Sequence, residues 1–311
     1  MRLCAVSVDL DEIPNYFAIY GLPAPVRAAT QVYDTAVARF VEFARRAQIP
    51  LTLFAVGSDL ARPEAASRVQ RAREAGFEIA NHTLDHRYDL VRLGRSEIRR
   101  QIEEGARAIE RATGVAPVGF RAPGYTITDE VFGVLVDLGV EYDSSVFPCP
   151  PYWAAKAAAV SWITLRGRAS RSIVDRPAVL MAPTRPYRVG TPYWRRSRDG
   201  AGLIELPIQV TRGLRLPFFG TSVTLWGPTF ARRLARACVG EPLVNLELHG
   251  IDLLDAEDGL DDLRSHQPDV RVPRARKEAS LLAAVEVLRA AGYVFVTLRD
   301  AAAAFRTAAA A

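Results

Sequence analysis

The chain is poor in the residues that anchor small secreted folds and sulfur-bound metals. Its 311 residues include three cysteines, two methionines and four histidines. Cys4, Cys149 and Cys238 are widely separated and odd in number, which excludes both a disulfide framework and a CxxC metal site. Buried free thiols in a reducing cytoplasm are the expectation. No apolar run approaches the ~20 residues of a membrane-spanning helix. The opening MRLCAVSVDLDEIP has too short an apolar stretch for a signal-peptide core, and acids interrupt it. No nucleic-acid motif occurs, so none is expected as a partner. The net charge of +5 permits attraction to phosphates or anionic lipid, and a solvated arginine-rich surface explains it equally well.

What is present is an alternation. Apolar strand candidates lie at Leu3–Val8, Leu51–Val56, Phe77–Ala80, Val118–Phe120, Val140–Tyr142, Leu203–Leu206, Leu243–Leu248 and Tyr293–Leu298. Amphipathic helix candidates fall between them, over Thr35–Gln48, Pro63–Ala75, Ser96–Ala112, the stretch from Thr128 to Gly139, and Lys277–Ala291. Strand and helix in repetition predict a parallel α/β sheet or barrel, and a chain of this length suits a single domain. From Cys149 to Gly202 the rhythm breaks into Pro, Arg and aromatics, which reads as a long insertion or flap. The tail, residues 301–311, is compositionally simple and is expected to fray.

Chemically capable residues recur where these strands end. Asp9 and Asp11 close the first, His82 follows the third, Arg121 the fourth, Asp143 the fifth and His249 the seventh. In a parallel β/α architecture those ends share one rim. Side chains at i and i+2 face one way, so Ser7, Asp9 and Asp11 share a face, as do Asn245, Glu247 and His249. Three polar residues on one face of a buried strand imply a polar site. Half of the histidines stand in EIANHTLDHR, residues 78–87, four positions apart. On a helical turn that spacing lets two imidazoles reach one cation. Alone it more often marks ordinary loop histidines, but an Asp-x-Asp at another strand end reverses the balance. Serines 144 and 145 lack a His-Asp pattern, which argues against a serine nucleophile.

SVDLDE, NHTLDH, FRAPGY, YDSSVFP and LELHG, taken in order, resemble the motifs of the polysaccharide deacetylases with the NodB homology domain, carbohydrate esterase family 4. The resemblance implies an irregular (β/α) barrel of seven or eight units over residues 1–300. It implies one divalent metal ion, commonly zinc, with cobalt, nickel or manganese as alternatives. Asp11, His82 and His86 would bind it, Asp9 would be the general base, and Arg121 would orient Asp9. His249 would protonate the leaving amine, and the backbone at Gly124 would meet the oxyanion. Tyr125, Asp143 and Glu247 would bind substrate.

Three departures qualify the substrate. Leu10 separates the two aspartates, Gly124 follows Pro123 where an aromatic is common, and Ser144-Ser145 replace a Trp-bearing motif. The Asp-x-Asp form looks more like the branch containing cyclic-imide or allantoin-type hydrolases, some peptidoglycan deacetylases and lipid-linked aminoarabinose deformylases. The expected activity is therefore removal of an acetyl or formyl group from an amino sugar, lipid-linked or phosphate-bearing. The rivals are hydrolysis of a small cyclic amide and a sugar-binding pseudoenzyme. Arginines and aromatics interleave within residues 149–202, so that segment is expected to touch an anionic membrane at its inner face.

Overall fold

Each of the eight apolar runs contains a strand, with ends shifted by up to three residues. A computed structural model of the protein describes residues 2–26 and 29–308. The strands are β1 (Leu3–Asp9), β2 (Thr52–Ala55), β3 (Glu78–Asn81), β4 (Gly119–Phe120), β5 (Tyr142–Asp143), β6 (Tyr187–Arg188), β7 (Ile204–Glu205), β8 (Leu243–His249) and β9 (Val294–Phe295). They pair in the order β6-β7-β5-β4-β3-β2-β1-β8, with β9 also on β1. All these pairs are parallel except β6 on β7. The sheet curls into a barrel whose seam lies between β8 and the chain that follows β7. Gln209 N donates to Asn245 O across that seam at 3.1 Å. The Asn245 amide adds bonds to Leu206 O at 2.9 Å and Pro207 O at 3.2 Å.

Among the described residues ten α-helices accompany the strands. They are α1 (Ile13–Ile19), α2 (Val37–Ala47), α3 (Pro63–Glu74), α4 (Arg95–Thr113), α5 (Asp129–Asp137), α6 (Pro150–Leu165), α7 (Gly220–Thr224), α8 (Pro228–Cys238), α9 (Arg274–Ala290) and α10 (Leu298–Ala308). Local chemistry sets several ends. Proline, which lacks the amide a first turn would leave unpaired, opens α3 and α8. The Thr128 side chain accepts from Val131 N and starts α5. Gly114, at φ 74°, ends α4.

Two of the four apolar clusters flank the sheet's first strand. Outside the sheet, Cys4, Val6 and Val8 of β1 pack with Val37, Phe40, Phe43 and Ala44 of α2. Inside the barrel, Leu3, Ala5, Phe54, Ala80, Tyr142, Ile204 and Leu243 form an apolar floor with Leu298, Ala301 and Ala302. That corrects the expectation of a frayed tail. Alanine is the best helix former, and its small side chain lets α10 pack closely under the barrel. Residues 309–311 of that tail lie outside the described residues. The stretch 149–202 is also more ordered than its weak periodicity suggests, since it contains α6 and the antiparallel edge strand β6. Cys4, Cys149 and Cys238 are buried and free, as expected. Among the described residues no helix is long and apolar enough to cross a membrane.

Candidate metal centre and active site

The register of β1 against β8 builds the site. Ala5 stands opposite Asn245, Ser7 opposite Glu247 and Asp9 opposite His249. One-residue slippage would turn every one of these side chains to the other face, so the pairing fixes the polar face inward. The barrel is therefore apolar at its floor and polar toward the rim.

Arg121 ties this interior together. It is fully buried; its Nη1 donates to Asp9 Oδ1 at 2.6 Å and its Nη2 to Ser7 Oγ and Ser144 Oγ, each at 2.9 Å. Its Nε donates to Ser144 O at 2.8 Å, and its guanidinium lies 4.1 Å from the centre of the Phe54 ring. Burial opposes ionisation of Asp9, but Arg121, His82 and His249 outweigh it and hold the carboxyl below its ordinary range. Asp9 is thus a charged acceptor kept in a dry place.

Asp11, His82 and His86 form a second cluster, all buried, with ligand atoms within 4.8 Å of one another. Their spacing does not come from a helical turn. Thr83 and His86 have positive φ, 69° and 48°, so the segment after β3 is a loop and not the helix face the i, i+4 spacing suggests. Local bonds hold it: Thr83 N donates to Asn81 Oδ1, and His86 N donates to Thr83 Oγ1. Gln101 of α4 accepts from Asp85 N and Leu84 N. The His82 Nδ1 sits 2.8 Å from Arg121 O, which fixes the tautomer that leaves Nε2 as a lone-pair donor.

The donor set fits a divalent cation. Asp11 Oδ1 and His86 Nδ1 are buried without a hydrogen-bond partner. Orphaned acceptors of this kind are costly unless something polar or charged meets them. Burial raises the Asp11 carboxyl and pushes the His86 imidazole well down, which favours the neutral ring that a metal ligand needs. One carboxylate and two imidazoles suit zinc and its neighbours.

His249 faces this cluster with both ring nitrogens engaged. Nδ1 lies 3.1 Å from Glu247 Oε1, and Nε2 lies 3.1 Å from the Tyr125 hydroxyl. Its backbone N donates to Asp252 Oδ2 at 2.8 Å. Burial works against the imidazolium, but Glu247 chiefly, with Asp11, Asp9 and Asp252, pushes His249 up to about 9. Glu247 does not line the cavity; it lies beneath His249, its carboxyl pushed up to about 8 chiefly by burial, with His249 opposing.

The cavity is small, about 70 Å3. Asp9, Asp11, His82, His86, Gly124, Tyr125 and His249 all border it, as expected. Gly124 has φ 62°, and a Cβ there would come within 2.9 Å of the Tyr88 ring. Asp143 is a correction. Its carboxylate accepts from Ser145 N and Ser145 Oγ and bonds Glu205, so it serves the barrel wall and not the cavity. Sequence reasoning missed Tyr16 and Ile19 of α1, Tyr88, and Tyr152, Lys156 and Ser172 of the 149–202 segment, which complete the lining. A lysine and a tyrosine four apart on a segment otherwise short of periodicity were the available signal. Arg195, Arg196 and Arg198 border a separate surface hollow with Gly190 and Gly202.

Comparison with known proteins agrees with this geometry. Residues 30–142 match the family model described as polysaccharide deacetylase. That match, over about a third of the chain, supports the resemblance to the polysaccharide deacetylase superfamily. The match contains His82, His86 and Arg121, whereas Asp9, Asp11 and His249 lie outside it. A chitooligosaccharide deacetylase of Sinorhizobium fredii is 35% identical over 95 residues, 30% of this chain and 42% of that protein. A peptidoglycan deacetylase of Helicobacter pylori is 22% identical over 147 residues, 46% of this chain and 49% of its own length. The chain thus matches less than half of each of these curated relatives. A solved Mycobacterium smegmatis structure assigned to the polysaccharide deacetylases shares the fold, with a TM-score of 0.54 at 21% identity. That likeness covers 95% of this chain and 93% of the other.

Proposed function

We propose that the chain is a metal-dependent hydrolase that removes a small N-acyl group, acetyl or formyl, from an amino sugar. One observation carries the reading. The β1–β8 register puts a charged base, Asp9, opposite a protonated imidazole, His249, beside a cluster with orphaned donors at Asp11 and His86. Acid and base are held in opposite protonation states at one pH, which amide hydrolysis needs.

Asp11, His82 and His86 would hold the cation, with zinc the best match to the donors. A divalent ion bound there supplies Lewis-acid polarisation and lowers the pKa of water. The chain's own residues do the rest. Asp9 accepts a proton from the attacking water, and Arg121 keeps that carboxylate ionised and aimed. The water oxygen bonds to the acyl carbon, the C–N bond breaks, and His249 gives its Nε2 proton to the departing nitrogen. The Gly124 amide is the chain's candidate donor to the developing oxyanion. Tyr125 and Glu247 hold His249 from its two sides.

The carrier of the sugar is read from α6. Trp162 is 57% and Leu165 82% exposed, and Ala154, Ala155, Ala158 and Ala159 are exposed on the same helix. Arg166, Arg168 and Arg171 follow, and no acid occurs between Asp143 and Asp175. An uncharged face with a basic flank suits an anionic lipid surface, and so a lipid-linked substrate. The deciding experiment is to measure bound metal and free amine released from N-acetyl and N-formyl amino sugars. Absence of release from the whole panel by the metal-loaded protein, with allantoin or a cyclic imide hydrolysed instead, would overturn the sugar assignment.

A further inference from the structure

The chain has 40 basic residues, and only Lys156 and Lys277 are lysines. Both point inward, and they are served differently. Lys277 is fully buried with its charge met inside the fold. Its Nζ donates to Leu254 O at 2.7 Å and Ile251 O at 3.1 Å, and lies 3.6 Å from Asp269 Oδ2. Lys156 is the sole charged residue of α6 and lines the catalytic cavity. Its Nζ donates to Gly124 O at 2.8 Å. An ammonium has three donors, and a carbonyl neither uses them all nor cancels the charge.

The surroundings favour an anion as the missing partner. Burial lowers the Lys156 ammonium to about 8, with Asp175 opposing. One Asp175 oxygen accepts from Arg176 N and the other is buried without a hydrogen-bond partner, so Asp175 acts on Lys156 through its field and not through a direct ion pair. Around the cavity Asp9 is paired with Arg121, and Glu247, set beneath the cavity, lies against His249. A divalent cation more than offsets Asp11, so Lys156 adds to a positive surplus. Tyr152, Lys156 and Ser172 line the same cavity as Asp9, Asp11 and His249, so a group next to the cleaved amide lies within reach of the Lys156 ammonium.

We propose that Lys156 is the receptor for a phosphate group carried by the N-acyl sugar, close to the amide that is cleaved. The assignment rests on the deacylase reading above and deepens it by naming the substrate class, an anionic acylated sugar. Lysine suits the task because its compact ammonium meets a phosphate as a point charge.

The test is equilibrium binding, which does not depend on turnover. Wild-type protein, Lys156→Met and Lys156→Arg are titrated with N-acetylglucosamine, N-acetylglucosamine 1-phosphate and a polyprenyl-phosphate-linked N-acetylglucosamine in detergent. Circular dichroism and metal content check that the variants fold. Wild type should bind the phosphorylated ligands about tenfold to hundredfold more tightly than the neutral sugar, the worth of a charge-assisted hydrogen bond. K156M should lose that preference and K156R should keep part of it. Preference for the soluble phosphate shows that the anion suffices, and preference for the lipid-linked form alone shows that the carrier is read as well. If wild type binds phosphorylated and neutral sugars equally, the proposal falls, whatever the variants do. If K156M weakens every ligand equally, Lys156 merely props the Gly124 turn, and the proposal falls while the deacylase reading stands. Absence of turnover on all N-acyl sugars with the phosphate preference intact would strike the deacylase reading and leave Lys156 as an anion receptor.

Discussion

The barrel interior and the outer face of α6 treat charge in opposite ways. Inside, Asp9, Arg121, Glu247 and His249 are ionisable, buried and matched to one another. On α6, Trp162 and Leu165 face solvent with no charge beside them except Arg166, whose guanidinium lies over the Trp162 ring at 4.4 Å. Charge buried and apolar surface exposed are both unfavourable for a fold considered alone. Those four groups meet their charge within the chain, by pairing, while Asp11 and His86 keep orphaned ligand atoms. The α6 face leaves its apolar side chains in solvent.

Arg121→Met should break the interior side of that comparison most severely. It strands Asp9 as a buried unpaired carboxylate and removes the bonds to Ser7 and Ser144. Losing one partner of a buried pair costs about 3–5 kcal/mol, so chemical denaturation should show a stability loss of that order. A midpoint close to wild type would mean that the network is not what holds the barrel interior.

His82→Ala and His86→Ala should leave the fold intact and abolish metal binding. Each removes a donor from a loop whose bonds run through Asn81, Thr83 and Gln101 instead. Metal analysis after dialysis, paired with circular dichroism, checks this. Full metal content in both variants would sink the ligand assignment.

Asp9→Asn and His249→Ala probe the acid–base pair itself. Both should keep the metal and lose about 10²–10⁴-fold in turnover, the usual contribution of such groups. Asn keeps the size of Asp9 but cannot take a proton. Because Asp9 also pairs Arg121, D9N is expected to lose some stability as well. Near-wild-type rates in H249A would transfer the acid role to another group, with Tyr125 nearest to hand.

Much of this interior was legible in the sequence. Alternation fixed which residues of SVDLDE and LELHG share a face, and strand ends share a rim in any parallel barrel. Asp9, Asp11, His82, His86, Arg121 and His249 therefore converged as expected. What pattern reading missed has physical causes. The i, i+4 histidines suggested a helical turn, but positive φ at Thr83 and His86 made a loop that still brings the rings 4.8 Å apart. Asp143 ends its strand like the others, yet Ser145 and Glu205 claim its carboxylate. The helix α6 has apolar residues on nearly every side, so no periodicity announced it. The tail helix α10 looked like low complexity because alanine fits closely under the barrel floor.

The smallest expected effect belongs to α6, and it sharpens the comparison from the outer side. Trp162→Ser with Leu165→Ser should leave turnover of a soluble N-acyl sugar unchanged, since neither residue lines the cavity. Flotation with anionic and with neutral vesicles should show wild type rising with the anionic ones at low salt. Each basic residue near such a surface adds only about 1 kcal/mol, so attachment through Arg166, Arg168 and Arg171 should weaken as salt rises. The double variant should bind weakly even at low salt, because the charges remain but the apolar face is gone. If wild type stays with the soluble fraction, and sedimentation instead shows a dimer that the double variant dissolves, the exposed face is a contact between copies of the chain. The lipid-linked carrier would then lose its support, and a soluble sugar would become the better substrate.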